Sequence, residues 1–378
     1  MNRYLFTPGP VPIPNEGAAA LKSHREPGFS VQFEKIQGSL RKLMRTDQPV
    51  LLLPCSGTGS LEALCLNLIG PGEKVISVSC GEFGLRFRDI ARSAGAEIIP
   101  VDIPAGQGVR SNHVLSALER YPDAVALLLT HNETSTGVMN PLEEIMGSVN
   151  ERGPLVLVDG VSSLGAMPCF PQDWNFDGLA SCSQKGLLTP PGIGVVWLSE
   201  RAWRSLEKGD RKRGSYYFDL LRHREYLEKD NPQNPFTPPV SLLATLEGSL
   251  DLILEQGTTE WFRKKRRLAE TFMAGMISMG LEPFVKESAA RSPGVSSLLL
   301  PSSAGKVKDE LLKMGIVVSG GQGEMKGKIL RFAHYSDWGW PETCLLMGSI
   351  FAALDRSGLK PGPEYISQAW ETWKKGEK

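Results

Sequence analysis

A lysine that closes a short apolar run is the residue here with the clearest chemical use. Gly178-Leu-Ala-Ser-Cys-Ser-Gln-Lys-Gly-Leu187 reads as a buried strand and a turn, with Lys185 at the exit and Pro190-Pro191-Gly192 just beyond. An amine held away from water has its charged form disfavoured, so its pKa falls and a neutral nucleophile becomes available to a carbonyl. Upstream, Leu155-Val-Leu-Val-Asp159 reads as a second short strand that ends on a carboxylate. Strand carboxyl ends form the ligand crevice of an open α/β sheet, which would bring Asp159 and Lys185 to one place. A lysine for an aldehyde and a carboxylate to keep a ring nitrogen protonated are what pyridoxal 5'-phosphate (PLP) requires. Taken singly, each residue has a plainer reading: a strand-end Asp forms turns, and a Lys beside a sheet extends to water.

Other chemistry-bearing stretches lie at similar places. Leu51-Leu-Leu-Pro54 reads as a strand, followed by Ser56-Gly-Thr-Gly-Ser60 and a helical pattern from Leu61 to about Leu68. Strand, glycine turn and helix N-terminus make an anion site, to which Thr58 and Ser60 add hydroxyl donors. In a G-x-G-x-x-G fingerprint the third glycine would fall on Glu62, and the lysine of a P-loop is missing, so a monophosphate fits better than a dinucleotide. A plain capped turn is the alternative. His131-Asn-Glu-Thr-Ser-Thr-Gly137 is a polar loop at a strand end, and Val161-Ser-Ser-Leu-Gly165 could place an apolar side chain under a ring. Phe83, in Gly81-Glu-Phe-Gly84, reads from position alone as core. Arg331 lies on an apolar strand, where either a substrate carboxylate or a structural acid would satisfy it.

The elements that must carry these residues alternate. Strands over 74–79, 97–101, 124–130 and 155–159 are expected, separated by helices over 85–93, 112–120 and 141–150, with a strand at 193–199 after the Lys185 turn. This rhythm predicts an α/β fold with a largely parallel sheet covered on both faces. Thr7-Pro-Gly-Pro10 begins a rigid extended arm, and Lys208–Gly214 a charged connector. Helices over 240–256 and 260–279 lead to a small α+β unit with strands over 295–300, 316–319 and 328–333 and helices over 306–314, 342–354 and 363–375. The basic run Arg263-Lys-Lys-Arg-Arg267 reads as a solvated helix face.

Composition excludes several classes. Lys plus Arg and Asp plus Glu both number 42 in 378 residues, so no global positive field draws nucleic acid. No apolar run approaches the roughly 18 residues of a membrane span. Six dispersed cysteines without a CxxC pair suggest buried thiols in a reducing compartment, and five dispersed histidines propose no metal. Neither end carries a recognisable targeting signal, so a cytoplasmic location is expected.

In this order and spacing the motifs resemble those of the class V aminotransferases of PLP fold type I, nearest the alanine–glyoxylate / serine–pyruvate branch. The likeness runs from Thr7-Pro-Gly-Pro10 to the strand of Arg331. It is carried by Ser56-Gly-Thr-Gly-Ser60 with Leu61-Glu-Ala63, Thr130-His-Asn-Glu-Thr-Ser-Thr-Gly137, Val158-Asp159, and Ser183-Gln-Lys-Gly186 ahead of Pro190-Pro-Gly192. The resemblance implies a mostly parallel seven-stranded sheet in a large PLP-binding domain, residues 15–255, with 1–14 and 256–378 as an N-terminal arm plus a small C-terminal domain. It implies that Lys185 is the Schiff-base lysine and acid/base, that Asp159 holds the pyridine nitrogen, and that Val161 and Phe83 pack on the ring. Thr58, Gly59, Ser60 and Gln184 would hold the phosphate, with Thr237 reaching it from a second subunit of a homodimer. Thr134 would lie near the ring hydroxyl, Arg331 would bind the substrate carboxylate, and Pro8 and Gly9 would line the substrate pocket. The expected activity is ping-pong transamination between alanine or serine and glyoxylate or pyruvate. The chain departs from relatives with a Tyr in the second-subunit loop, reading Asn234-Pro-Phe-Thr237, and His334-Tyr335 is a second point of divergence. 2-Aminoethylphosphonate transamination, cysteine desulfuration and a cofactor-binding scaffold without turnover are the competing readings; Cys344, read as buried in a helix, counts against desulfuration.

Overall fold

The computed structural model describes residues 4–12, 26–149, 153–208, 215–300 and 303–376. Most of the Lys208–Gly214 connector, Asn150 and the arm beyond Val11-Pro12 lie outside the described residues. The strands in chain order are β1 (Tyr4–Leu5), β2 (Val50–Leu53), β3 (Lys74–Ser79), β4 (Glu97–Asp102), β5 (Ala126–Thr130), β6 (Asn132–Glu133), β7 (Val138–Met139), β8 (Leu155–Asp159), β9 (Gly178–Cys182) and β10 (Gly194–Leu198). They continue with β11 (Glu282–Pro283), β12 (Val295–Leu299), β13 (Ile316–Val317), β14 (Ser319–Gly320) and β15 (Ile329–Ala333). The helices are α1 (Pro27–Met44), α2 (Gly57–Leu68), α3 (Glu82–Ser93), α4 (Ser111–Arg120), α5 (Leu142–Met146), α6 (Glu200–Lys208), α7 (Leu220–Leu227), α8 (Val240–Glu255), α9 (Thr258–Ser278), α10 (Ala304–Lys313), α11 (Trp340–Arg356) and α12 (Tyr365–Lys375).

A seven-stranded sheet of order β2-β10-β9-β8-β5-β3-β4 forms the centre. Neighbours from β9 to β4 run parallel, while β10 is antiparallel to both β9 and β2. The central strands β5 and β9 are buried at every position, as a sheet covered on both faces demands. Apolar layers pack on each face: Phe29, Phe33, Ile36 and Leu40 of α1 in one, Leu61, Leu64, Cys65 and Leu68 of α2 in the other. A four-stranded antiparallel sheet, β11-β12-β15-β14, carries the C-terminal unit, with Phe272, Leu298, Phe332 and Met347 in its core.

The expected elements are present, with four differences. Helices α1, α6 and α7 were not foreseen. The helix expected over 141–150 stops at Met146, where Gly147 bonds back to Glu143 and ends the turn. The strand expected over 316–319 divides: β13 pairs in parallel with β1 of the arm, and β14 pairs with β15. The glycines 57 and 59, expected in a loop, form the first turn of α2.

Candidate active site

Strand β8 ends on Asp159, and its parallel neighbour β9 leads through Cys182 into the turn of Lys185. Asp159 is 3% exposed, and its carboxylate accepts one hydrogen bond, from the Val161 amide at 2.9 Å. Burial pushes its pKa up to about 7 against that amide's pull, with Glu133 adding to the rise and Lys185 opposing it. The Lys185 amine donates to the Pro8 carbonyl. Burial draws its pKa down, and the Arg331 charge adds to that shift. Pro8 and Gly9 therefore lie at the lysine. Gly9 has φ of +121°, and a methyl group there would fall 2.7 Å from Lys185 Cδ, so both backbone and close approach require glycine.

The anion cradle is the start of α2. Its N-cap Ser56 makes no side-chain cap, so the first-turn amides, including those of Thr58 and Gly59, point outward without side-chain acceptors. Thr58 is exposed; Ser60 is buried, with its hydroxyl turned to the Ser56 carbonyl. Gln184, beside Lys185, has a buried Oε1 without a partner among the described residues. Val161 packs on Gly57 and links this cradle to the residue after Asp159.

Thr134 Oγ1 donates to Ser162 Oγ at 2.7 Å, which donates to the Asn132 carbonyl. Asn132 Nδ2 also reaches Ser162 Oγ and lies 3.4 Å from the Tyr335 hydroxyl. Arg331 donates to the carbonyls of Thr134 and Gly320 at 2.7 and 2.8 Å. Among the described residues no carboxylate forms an ion pair with it, so of the two partners the sequence left open, the structural acid is not the one found.

Phe83 corrects its positional reading as core. It is half-buried at the start of α3, its amide held by the Glu133 carboxylate and its ring beside Arg86. Glu133 is fully buried and also accepts from the amides of Gly84 and Ser135 and the Ser135 hydroxyl. This clamp, like the Asn132–Ser162–Tyr335 group, was missed, although the polar stretch 131–137 was the signal for it. Thr237 stands apart: it is exposed on the 234–239 loop, and no described contact joins it to Lys185 or Asp159 of its own chain. Asn234 is buried in that loop and donates to the Leu52 carbonyl. Phe236 stacks on Tyr217 at 5.0 Å. A second correction concerns the basic run of α9, where Lys265 is 0% exposed rather than on a solvated face.

These residues fit PLP on their own evidence. A buried carboxylate with a single donor suits a protonated ring nitrogen, a desolvated amine suits an aldehyde, and an uncapped helix start suits a phosphate. Among the described residues no group of three His, Cys, Asp or Glu gathers to hold a metal, and no helix is long and apolar enough to cross a membrane.

Known proteins resemble this chain over most of its length. Residues 18–329 match the family model for aminotransferase class V. An uncharacterised aminotransferase of Methanocaldococcus jannaschii is 35% identical over 367 residues, which cover 95% of this chain and 94% of the relative. The serine–glyoxylate aminotransferase of Methylorubrum extorquens is 29% identical over 381 residues, 95% of this chain and 93% of its own. The solved structure of an alanine–glyoxylate aminotransferase from Nostoc superposes with a TM-score of 0.87 at 29% identity, covering 94% of this chain and 96% of that one.

Proposed function

This chain belongs to the class V aminotransferases, and on that premise we propose that it moves an amino group from a small L-amino acid, alanine or serine, to a small 2-oxo acid, glyoxylate or pyruvate, in a ping-pong cycle. The observation that carries the proposal is a desolvated Lys185 amine and a buried Asp159 carboxylate in one crevice, beside an Arg331 that no described acid neutralises. The relatives named for serine–glyoxylate and alanine–glyoxylate transfer support the choice of substrates.

PLP, when bound, supplies an aldehyde and a ring that accepts electrons from the substrate Cα. Asp159 would keep a proton at the ring nitrogen, and Val161 and Phe83 would pack on the ring. Thr58, Gly59, Ser60 and Gln184 would hold the phosphate, joined by Thr237 of a partner subunit. Thr134, which donates to Ser162, would face the ring hydroxyl. Arg331 binds the α-carboxylate bidentately and orients the Cα–H bond. Lys185 Nζ, whose charged form burial disfavours, would take the proton from Cα and hand it to the cofactor's aldehyde carbon within the first half-reaction, and would carry a proton back the same way in the second. Pro8 and Gly9 close the pocket over that amine. The cofactor would lie in residues 15–255, with the 1–14 arm and residues 256–378 on the substrate side, in a cytoplasmic homodimer.

Steady-state assays of the PLP-loaded protein with a panel of amino donors, against glyoxylate and pyruvate, test the substrate class. Alanine or serine as the best donor is the expected result. Turnover confined to 2-aminoethylphosphonate would replace the donor, because Arg331 would then hold a different anion.

A further inference from the structure

Helix α9 carries a buried amine that the reaction does not use. Lys265 has none of its surface exposed, and its amine donates to the Ser336 carbonyl and lies 3.9 Å from the centre of the Trp261 ring. Asp337, next to Ser336, pairs with Lys264, and its charge also favours the protonated form of Lys265. Burying an amine with a carbonyl and a ring as its close partners is costly, and a methionine would fill the same space without that cost. The contacts this pair makes show what the lysine is for.

Ser336 follows Tyr335, whose hydroxyl reaches the Asn132–Ser162 group that holds Thr134. Both residues follow β15, the strand of Arg331, after His334. On its other side, the Trp261 indole donates to the Gly165 carbonyl at 2.7 Å. Gly165 has φ of +79° and lies so close to Gly186 that an added methyl group would fall 2.6 Å from the Gly186 carbonyl oxygen. Gly186 adjoins Lys185, and Gly165 ends the stretch that follows Asp159. One helix thus grips the segment beyond Arg331 with a lysine and the two turns beside Lys185 and Asp159 with a tryptophan.

Resting on the aminotransferase reading, we infer that Lys265 is a positioning residue: through Ser336 and Trp261 it sets the placement of Arg331 and Thr134 relative to Lys185. The carboxylate anchor and the proton-moving amine sit on different sheets, so their separation needs a tie of this kind. Neither end of the tie touches substrate.

The test compares PLP-loaded wild type with Lys265→Met and Lys265→Gln. The readouts are cofactor absorbance, its visible circular dichroism, melting temperature, and KM and kcat for L-alanine and L-serine. Methionine keeps the volume and leaves the Ser336 carbonyl unpaired, whereas glutamine restores an N–H donor. The expected result is full cofactor absorbance in both, with KM raised about tenfold in Lys265→Met, the factor one hydrogen bond represents, and largely recovered in Lys265→Gln. The circular dichroism band should weaken in step, which reports ring placement independently of turnover. A Lys265→Met protein that melts lower yet keeps wild-type KM, kcat and dichroism would overturn the inference, leaving Lys265 a stability residue. If Lys265→Met does not fold, Trp261→Phe keeps a ring and removes only the N–H to Gly165; unchanged KM and dichroism there would overturn it equally. Failure of the aminotransferase reading shows separately, as wild-type protein that binds PLP and turns over no amino acid.

Discussion

Asp159 and Arg331 show how single side chains carry the chemistry. The pKa of Asp159 rises from 3.8 to about 7 on folding, so the folded, cofactor-free chain holds a proton that the unfolded chain releases. Its contribution to stability is complete below 3.8 and is lost as pH rises through about 7. Asp159→Asn removes this dependence: thermal melts of cofactor-free protein should show the variant gaining on wild type between about pH 4 and about pH 7, while turnover of the loaded variant falls at least ~100-fold. A constant gap across that range would mean the carboxylate is not desolvated. Arg331→Gln should raise KM for the amino donor ~10- to 100-fold with a smaller effect on kcat, the loss of a charge-assisted pair. Unchanged KM would confine Arg331 to bracing Thr134 and Gly320. At this scale the sequence was informative where a residue type has few uses, as with Lys185. It was silent on partners: nothing in Ile329–Ala333 reveals that Arg331 meets two carbonyls, and a basic run conceals that one of its five residues is buried.

The elements position these side chains through their ends. Glu133 lies just beyond the end of β5 and ties the first amides of α3, that of Phe83 among them. Glu133→Ala leaves those buried amides without acceptors, at a cost of about 1–3 kcal/mol each, so calorimetry should find a lower melting temperature and equilibrium binding a weaker affinity for PLP. Retention of both would show that Phe83 is placed by other contacts. The βαβ core was legible because its strands are continuous apolar runs bounded by turn residues, and Lys74–Ser79 and Leu155–Asp159 are found where the pattern sets them. Helix α1 escaped although Phe29, Phe33, Ile36, Leu40 and Leu43 keep helical spacing, because the glycines at 28 and 38 and the prolines before it lower the local propensity. The start of α2 was placed late for the same reason. Glycines read as a turn locally, but here they allow Val161 and Cys55 to approach a helix.

At the scale of the molecule, the proposed site draws on two sheets of one chain and on two chains. Thr237 is exposed, and no described contact joins it to Lys185 or Asp159 of its own chain, so on that reading a complete site would need the partner. Co-refolding two individually weakened variants, Lys185→Ala and Thr237→Val, should restore a fraction of wild-type activity, because one of the two sites in each mixed dimer is intact; no recovery would place Thr237 outside the site. The proposal that Lys185 holds PLP for amino transfer is tested by the absorbance of PLP-loaded protein during titration with L-alanine or L-serine, with no oxo acid present. The visible band of lysine-bound cofactor should give way to that of pyridoxamine phosphate as one equivalent of oxo acid appears per site, and Lys185→Ala should show neither the band nor the exchange. A wild-type band that no amino acid changes, or exchange that survives in Lys185→Ala, would contradict the claim.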